Sequence, residues 1–389
     1  MRLLFSTLFY IIIVPCILAQ NQNVPGAGNA LAAEISGKSK MVQSAYRFLQ
    51  EQARSIHDPA LRKQTLDAIS DPQDCIRHRA LLSDADKDRI LHALIAAGLL
   101  AAHDDAAFPG GLKAGVFPAV IHDGSQCPLP PQSFSSAPGS YFGGHHSYPG
   151  GLALHEAFNE TAAHDLARNY QHRYGSVSMD HDIVIAAPIW HDWAKIFVFQ
   201  WNQDGAEFPE LEFGGDRSKT GGHHILGLAE TMKRGFSPAL VITQACAHSA
   251  PSQDNEFKVV NWLRAAAIIA QIDPVEKGYL MRDSHENFRL PALRKSGELN
   301  LQDTNLLLEY TIHNLSDSDF VFTAPAAKTA DEILRQLAPE FGFNPADTAN
   351  YNNRFRNPVL SNLTAERLVM IYSAQGMQGI KKAIPRPAP

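Results

Sequence analysis

The chain has 389 residues, with 34 Lys and Arg against 40 Asp and Glu, 45% apolar residues and 19% charged ones. That balance is that of a folded globular protein: it excludes a largely disordered chain, and a net charge of −6 argues against a general nucleic-acid-binding surface. Four Cys in a chain of this length exclude a disulfide-dense scaffold, and 17 His is the one unusual count, informative only if the residues cluster.

Residues 1–19, MRLLFSTLFYIIIVPCILA, have the layout of a secretory signal peptide. Arg2 and the amino terminus supply positive charge, an apolar stretch runs from Leu3 to Val14, and a small-residue site ends at Ala19. The expectation is an exported protein, periplasmic or secreted, with no stable membrane anchor once this segment is removed. Export would leave Cys75, Cys127 and Cys246. The first two could pair in an oxidising compartment, whereas Cys246, in the apolar run VITQACAH, reads as a small buried residue.

Residues 20–108 read as a helical N-terminal region behind a short polar lead. Ala45, Phe48, Leu49 and Ala53 share one helical face, and Ser83-Asp84-Ala85-Asp86 caps a helix striped by Ile90, Leu91, Leu94 and Ile95. From 109 to 144 the composition changes, with 18 of 36 residues Pro, Gly or Ser. So long an irregular stretch inside a compact domain is often functional, and we expect part of it to wall or cover a site. Helical patterns resume at about 150–173, 180–200, 220–234, 237–248 and 257–272, and again near 302–313, 327–338 and 364–382. Period-2 runs are scarce, so the expected fold class is all-α.

Ten of the 17 His lie between 145 and 248, which turns the count into a cluster. The pieces that carry it are HHSYPGGLALHE (145–156), IWHDWAKI (189–196), GGHHILG (221–227), ACAHSAP (245–251) and AIIAQIDP (267–274). His191-Asp192 is an adjacent pair inside an apolar helix, and burying both without partners would be costly. A divalent cation satisfies both, since neutral imidazole and carboxylate are good ligands for hard or borderline metals. His181-Asp182 forms a second such pair, but no later motif supports it as the metal pair. His164, His172 and His181 read as surface or outlying residues.

The ordered series His155, His191-Asp192, His223 or His224, His248 and Asp273 resembles the HD superfamily of metal-dependent phosphohydrolases, named for its adjacent His-Asp. HHSYPGGLALHE is similar to the start of a subgroup that reads roughly HH-x-x-x-GGLL-x-H. The resemblance implies an HD-type helical bundle core over about 145–285 and a C-terminal helical region over 286–389. It also implies two divalent ions, of Mn, Fe, Mg or Zn. His155, His191, Asp192 and Asp273 would hold one. Asp192, as a bridge, with His223 and His248 would hold the other. His223 stands four residues before Gly227, an H-x-x-x-G spacing of two-metal relatives, and is favoured over His224. Lys195 matches the Lys of the family's HD-x-x-K extension and would bind a phosphate oxygen, although Ala194 stands where Gly is frequent. His145 and His146 would contact substrate or metal, and Gly150 and Gly151 would free the backbone at a helix start.

The implied activity is hydrolysis of a phosphoester, a small phosphate ester or nucleotide, by a metal-bound hydroxide, with Asp192 and Lys195 as the catalytic residues. The partner expected is a small phosphorylated molecule and not a nucleic acid. Two alternatives use the same ligands: a di-iron oxygenase on the same scaffold, and a non-catalytic exported metal-binding protein.

Overall fold

The computed structural model describes residues 24–175, 179–215, 217–251, 255–291 and 301–384, of residues 301–307 the backbone only. The expected signal peptide, 1–19, lies outside the described residues. Among the described residues the protein is all-α, as expected, with two two-stranded antiparallel ribbons as its only sheet. No helix among them is long and apolar enough to cross a membrane.

The helices are α1 (Asn29–Lys38), α2 (Lys40–Ser55), α3 (Pro59–Ser70), α4 (Asp84–Ala96) and α5 (Gly111–Val116). Then come α6 (Gly151–Tyr174), α7 (His181–His191), α8 (Lys195–Val198), α9 (Gly222–Lys233), α10 (Pro238–Ala245) and α11 (Glu256–Ala270). The last are α12 (Leu301–Ser316), α13 (Phe320–Leu337), α14 (Thr348–Tyr351), α15 (Asn357–Leu363) and α16 (Ala365–Ala383). The ribbons are β1 (Glu212–Phe213) with β2 (Thr220–Gly221), and β3 (Met281–Arg282) with β4 (Phe288–Arg289).

The start signals act as their chemistry dictates. Ser83 and Asp86 form a reciprocal capping box on α4, and Asp58 and Asp180 cap α3 and α7 through their side chains. One expectation fails at 180–200, where a single helix is replaced by α7 and α8. Pro188 weakens the hydrogen-bond ladder from inside α7, and the helix ends with His191.

From Ile183 to His191 every residue of α7 is buried, so this helix is apolar all round and forms the centre of the bundle. It packs against α2, α3, α6, α9, α10 and α12. The main core runs from Val42 in α2 to Tyr310 in α12 and includes Leu112, Val116, Phe134 and Ala137. The regions 20–108, 109–144 and 145–285 therefore share one core, and that core continues past 285 into α12. A second core joins α13, α15 and α16 to Tyr148.

The end of α7 is held from outside. Trp190 Nε1 donates to Thr65 Oγ1 at 3.0 Å, and Trp193 Nε1 donates to the Ala68 carbonyl at 2.9 Å. Arg234 lies over both indoles, 5.0 and 5.6 Å from the ring centroids. Its Nε donates to Glu230 Oε1 at 2.7 Å, and its Nη2 donates to Asp74 and to the Cys75 carbonyl. Cys75 is disulfide-bonded to Cys127, with Cα atoms 5.0 Å apart.

Glu230 is wholly buried and accepts the Arg77 and His78 backbone N–H groups at 3.0 Å each. Burial would raise its carboxyl, but Arg234, His78 and those N–H groups outweigh it and bring it from 4.5 to about 2. A carboxyl depressed on folding stabilises fully above its unfolded value and loses that contribution as pH falls through the folded one. Glu230 should thus contribute about 3 kcal/mol near neutrality, lost between about pH 4.5 and 2. In urea titrations, Glu230→Gln should cost about 3 kcal/mol at pH 7, by leaving buried Arg234 with Asp74 as its remaining carboxylate partner, and should flatten the acid limb.

Candidate metal centre

Two helix termini bring the central residues together. Helix α6 starts at Gly150-Gly151, with Gly150 at φ +84°, and a Cβ on Gly151 would sit 1.8 Å from the His146 carbonyl oxygen. Only glycine permits that crossing, so the expected backbone freedom is realised as close approach as well as positive φ. It folds His145-His146 back over the first turn of α6, where His155 follows. His146 itself takes φ +51°, a strained conformation for a residue with a side chain. The last residue of α7 is His191, and Asp192 caps it.

Asp192 is completely buried. His155 Nε2 lies 3.2 Å from Asp192 Oδ2, while His191 Nε2 and His223 Nε2 lie 3.3 and 3.4 Å from Asp192 Oδ1. Asp317, at the end of α12, has Oδ1 3.2 Å from both His155 Nε2 and His191 Nε2. Lys195 Nζ contacts Asp192 Oδ2 and donates to the Gly139 carbonyl at 2.5 Å.

The outer ring nitrogens are engaged elsewhere. His191 Nδ1 is 2.7 Å from the Pro188 carbonyl, His223 Nδ1 is 2.6 Å from Glu210 Oε2, and His248 Nδ1 is 2.7 Å from Thr220 Oγ1. His155 differs: its Nδ1 lies 3.4 Å from Asp319 Oδ1 at ion-pair distance but makes no hydrogen bond. A histidine whose Nδ1 is held by a carbonyl or carboxylate presents a fixed Nε2, which is how proteins orient imidazole toward a metal. Donor atoms about 2.1 Å from one ion lie roughly 3.0–3.4 Å from each other, the range seen here. His191 Nε2 and Asp192 Oδ1 have no hydrogen-bond partner although buried. The residues therefore fit a divalent ion among His155, Glu156, His191 and Asp192, one donor atom of each lying within 4.8 Å of the others, with Asp317 beside both imidazoles; His191, His248 and Asp317 form a second such grouping, and His223 joins the cluster through Asp192.

The charge balance supports the same fit. Burial opposes ionisation of Asp192 and Asp317, yet the surrounding imidazoles, and for Asp192 also Lys195, hold both carboxyls well below their ordinary range. Burial likewise opposes the charged form of His191, but Asp192, Asp317 and Glu156 raise it to about 9. Glu156 is driven the other way, well above the ordinary carboxyl value, because burial dominates there. Without a dication, the convergent imidazoles must carry the compensating positive charge as protons.

The cluster forms the floor of an open cavity of about 440 Å³. Ser140, Tyr141, Gly144 and His145 line one side, so the Pro/Gly/Ser-rich segment does wall the site at its C-terminal end. Asn314, Ser318 and Phe320 also line it.

The structure brings His145, His146, His155, His191, Asp192, Lys195, His223 and His248 to this region. His224 points away: it is fully buried, stacked on His248 with ring centroids 4.3 Å apart, and edge-on to Trp262. His146 is tied to Asp319 Oδ2 and to the Tyr148 hydroxyl, at 3.1 and 2.9 Å. Asp273 is a correction. It sits exposed in a turn after α11, where its Oδ1 accepts the Val275 and Glu276 N–H groups. Helix α11 packs chiefly on α9, so its end does not reach α6 or α7 at the cluster, whereas α12 packs on α6, α7 and α10 and delivers Asp317.

The residues that sequence reasoning missed are Glu156, Glu210, His313, Asp317 and Asp319. One signal was available: His313 and Asp317 stand at i, i+4, on one face at the end of an expected helix. His313 packs edge-on against His191, with centroids 4.9 Å apart. Comparison with known proteins finds no matching family model, no matching curated protein and no matching solved structure.

Two outcomes test the centre. Binding of Mn²⁺ or Zn²⁺ at pH 7 should release protons, so calorimetric heats should differ between buffers of unlike ionisation enthalpy; equal heats would count against the assignment. Glu210→Ala should weaken metal affinity by about 10–100-fold while leaving the fold intact by circular dichroism.

Proposed function

We propose that this protein is an exported metal-dependent phosphohydrolase of the HD type, acting on a small phosphate ester or nucleotide with two divalent ions. The observation that carries this reading is the anchoring of three histidines, His191, His223 and His248, by their outer nitrogens, with His155 beside them, around buried Asp192 and Asp317, on the floor of an open cavity. A buried site made only for structure would close its coordination shell. In the HD pattern of His155, His191-Asp192 and a final Asp, Asp317 takes the last place. Divalent ions held there would supply Lewis acidity and acidify a bound water.

The chain's own residues divide the remaining work. Lys195, fixed between Asp192 and the Gly139 carbonyl, places a permanent positive charge at the cavity floor, suited to a phosphate oxygen. His145 lines the wall with Nδ1 unpartnered, and burial together with nearby His155 and Lys195 keeps it neutral. It can accept or donate one hydrogen bond to a substrate, according to its tautomer. A cavity of about 440 Å³ suits a small-molecule ligand. Export is supported by the signal-peptide layout of residues 1–19 and by the Cys75–Cys127 disulfide, a bond that persists in oxidising compartments.

Phosphate release from p-nitrophenyl phosphate and from nucleotides, with Mn²⁺ added, tests the reading. The His191→Ala, Asp192→Ala variant should fall to background. A fully metallated wild-type protein that releases no phosphate from a broad phosphoester panel would overturn it, and a mixed-valent di-iron signal in that protein would direct attention to oxygenase chemistry instead.

A further inference from the structure

A second group of imidazoles lies on the same two helices that build the centre, midway along α6 and at the start of α7. His164 is nine residues beyond His155 on α6, and His181 is ten residues before His191 on α7. At 1.5 Å per residue these steps are about 13–15 Å, so the group is separate from the centre. His57, from the α2–α3 turn, completes it.

The atoms are close. His57 Nδ1 is 3.1 Å and His181 Nδ1 is 3.8 Å from the same oxygen, Asp182 Oδ1. One donor atom from each of His57, His181 and Asp182 lies within 4.8 Å of the other two. Ring centroids are 5.0 Å apart for His57 and His181, and 5.8 Å apart for His164 and His181. Asp182 is fixed before any ion arrives, since its two oxygens accept the His57 and Asp58 backbone N–H groups at 2.7 and 2.8 Å.

An independent feature sits behind these residues. Glu160 on α6 is completely buried, and neither of its carboxylate oxygens has a hydrogen-bond partner. Its Oε1 lies 3.1 Å from His164 Nε2. The pair is an ion-pair contact without a hydrogen bond, and it sets a buried carboxylate beside the His164 ring.

We propose that His57, His181 and Asp182, with the His164 ring beside His181, form a second, solvent-open site for a borderline divalent transition ion such as Zn²⁺. The donor set of imidazoles and one carboxylate suits such ions better than Mg²⁺ or Ca²⁺, which prefer all-oxygen shells. An ion held there ties the α2–α3 turn to the first turn of α7, the helix whose last residue is His191. Occupancy therefore stiffens the helix that carries the central pair.

The test uses the full chain and Zn²⁺ itself, with bound metal counted by mass spectrometry after desalting. His57→Ala, His181→Ala should bind one ion fewer than wild type. His191→Ala, Asp192→Ala should keep that ion, and its Zn²⁺-dependent rise in Tm should vanish when the two surface substitutions are added. Unchanged stoichiometry and an unchanged Tm rise in the surface variant would overturn the proposal. His57→Gln alone is the second check: its side chain is 76% exposed, so folding is not at issue, and it should weaken this ion's binding about tenfold or more. Loss of phosphatase activity with retention of this ion, or the reverse, separates this site from the reading of the centre.

Discussion

A carboxylate with no solvent exposure, Asp192, sets the terms for this structure. Its charge cannot be solvated by water, so the protein must answer it with cations or hydrogen bonds at contact distance. Lys195 supplies one charge, and the Nε2 atoms of His155, His191 and His223 surround the rest. Asp317 adds a second carboxylate to the same imidazoles, which raises the demand for positive charge further. The fold can be read as the scaffold that keeps these groups together despite the cost of burying them.

Each helix meets that demand by a different device. Helix α7 is apolar on all sides, so it takes the centre of the bundle and carries His191 there. Pro188 weakens its ladder and offers a carbonyl to His191 Nδ1 in the same turn. Trp190 and Trp193, bonded to α3 and covered by Arg234, fix the rotation of the chain on either side of His191-Asp192. Helix α6 uses Gly150-Gly151 to let the His145-His146 backbone cross its first turn. The outer partners Glu210 and Thr220 come from a loop and a short strand, and they orient rings that the helices only place.

The two His-Asp dipeptides on α7 show how location divides one motif into two chemistries. His191-Asp192 ends the helix in the core, among other buried titratable groups. His181-Asp182 begins it at the surface, where Asp182 is occupied by backbone N–H groups and the imidazoles face water.

Much of this was legible in order along the chain. The helical periods, the Ser83–Asp86 cap, the glycines before α6 and the cluster of His between 145 and 248 all follow from local spacing, because helix geometry is local. The anomaly of His191-Asp192 in an apolar run was visible for the same reason. What was not legible depended on which helix packs on which. Asp273 lies in the turn after a helix, α11, that packs on α9, and its carboxylate faces outward and accepts the N–H groups of its own turn. Asp317 ends α12, which crosses α6 and α7 and so reaches the imidazoles. His223 and His224 are adjacent in sequence, and only the position of Glu210 and Trp262 separates the ring that faces Asp192 from the ring stacked in the core. Sequence determined the helices and most of the ligand-type residues; tertiary packing decided which carboxylate completes the cluster, because a charge is satisfied by groups within a few ångströms and distance along the chain does not count.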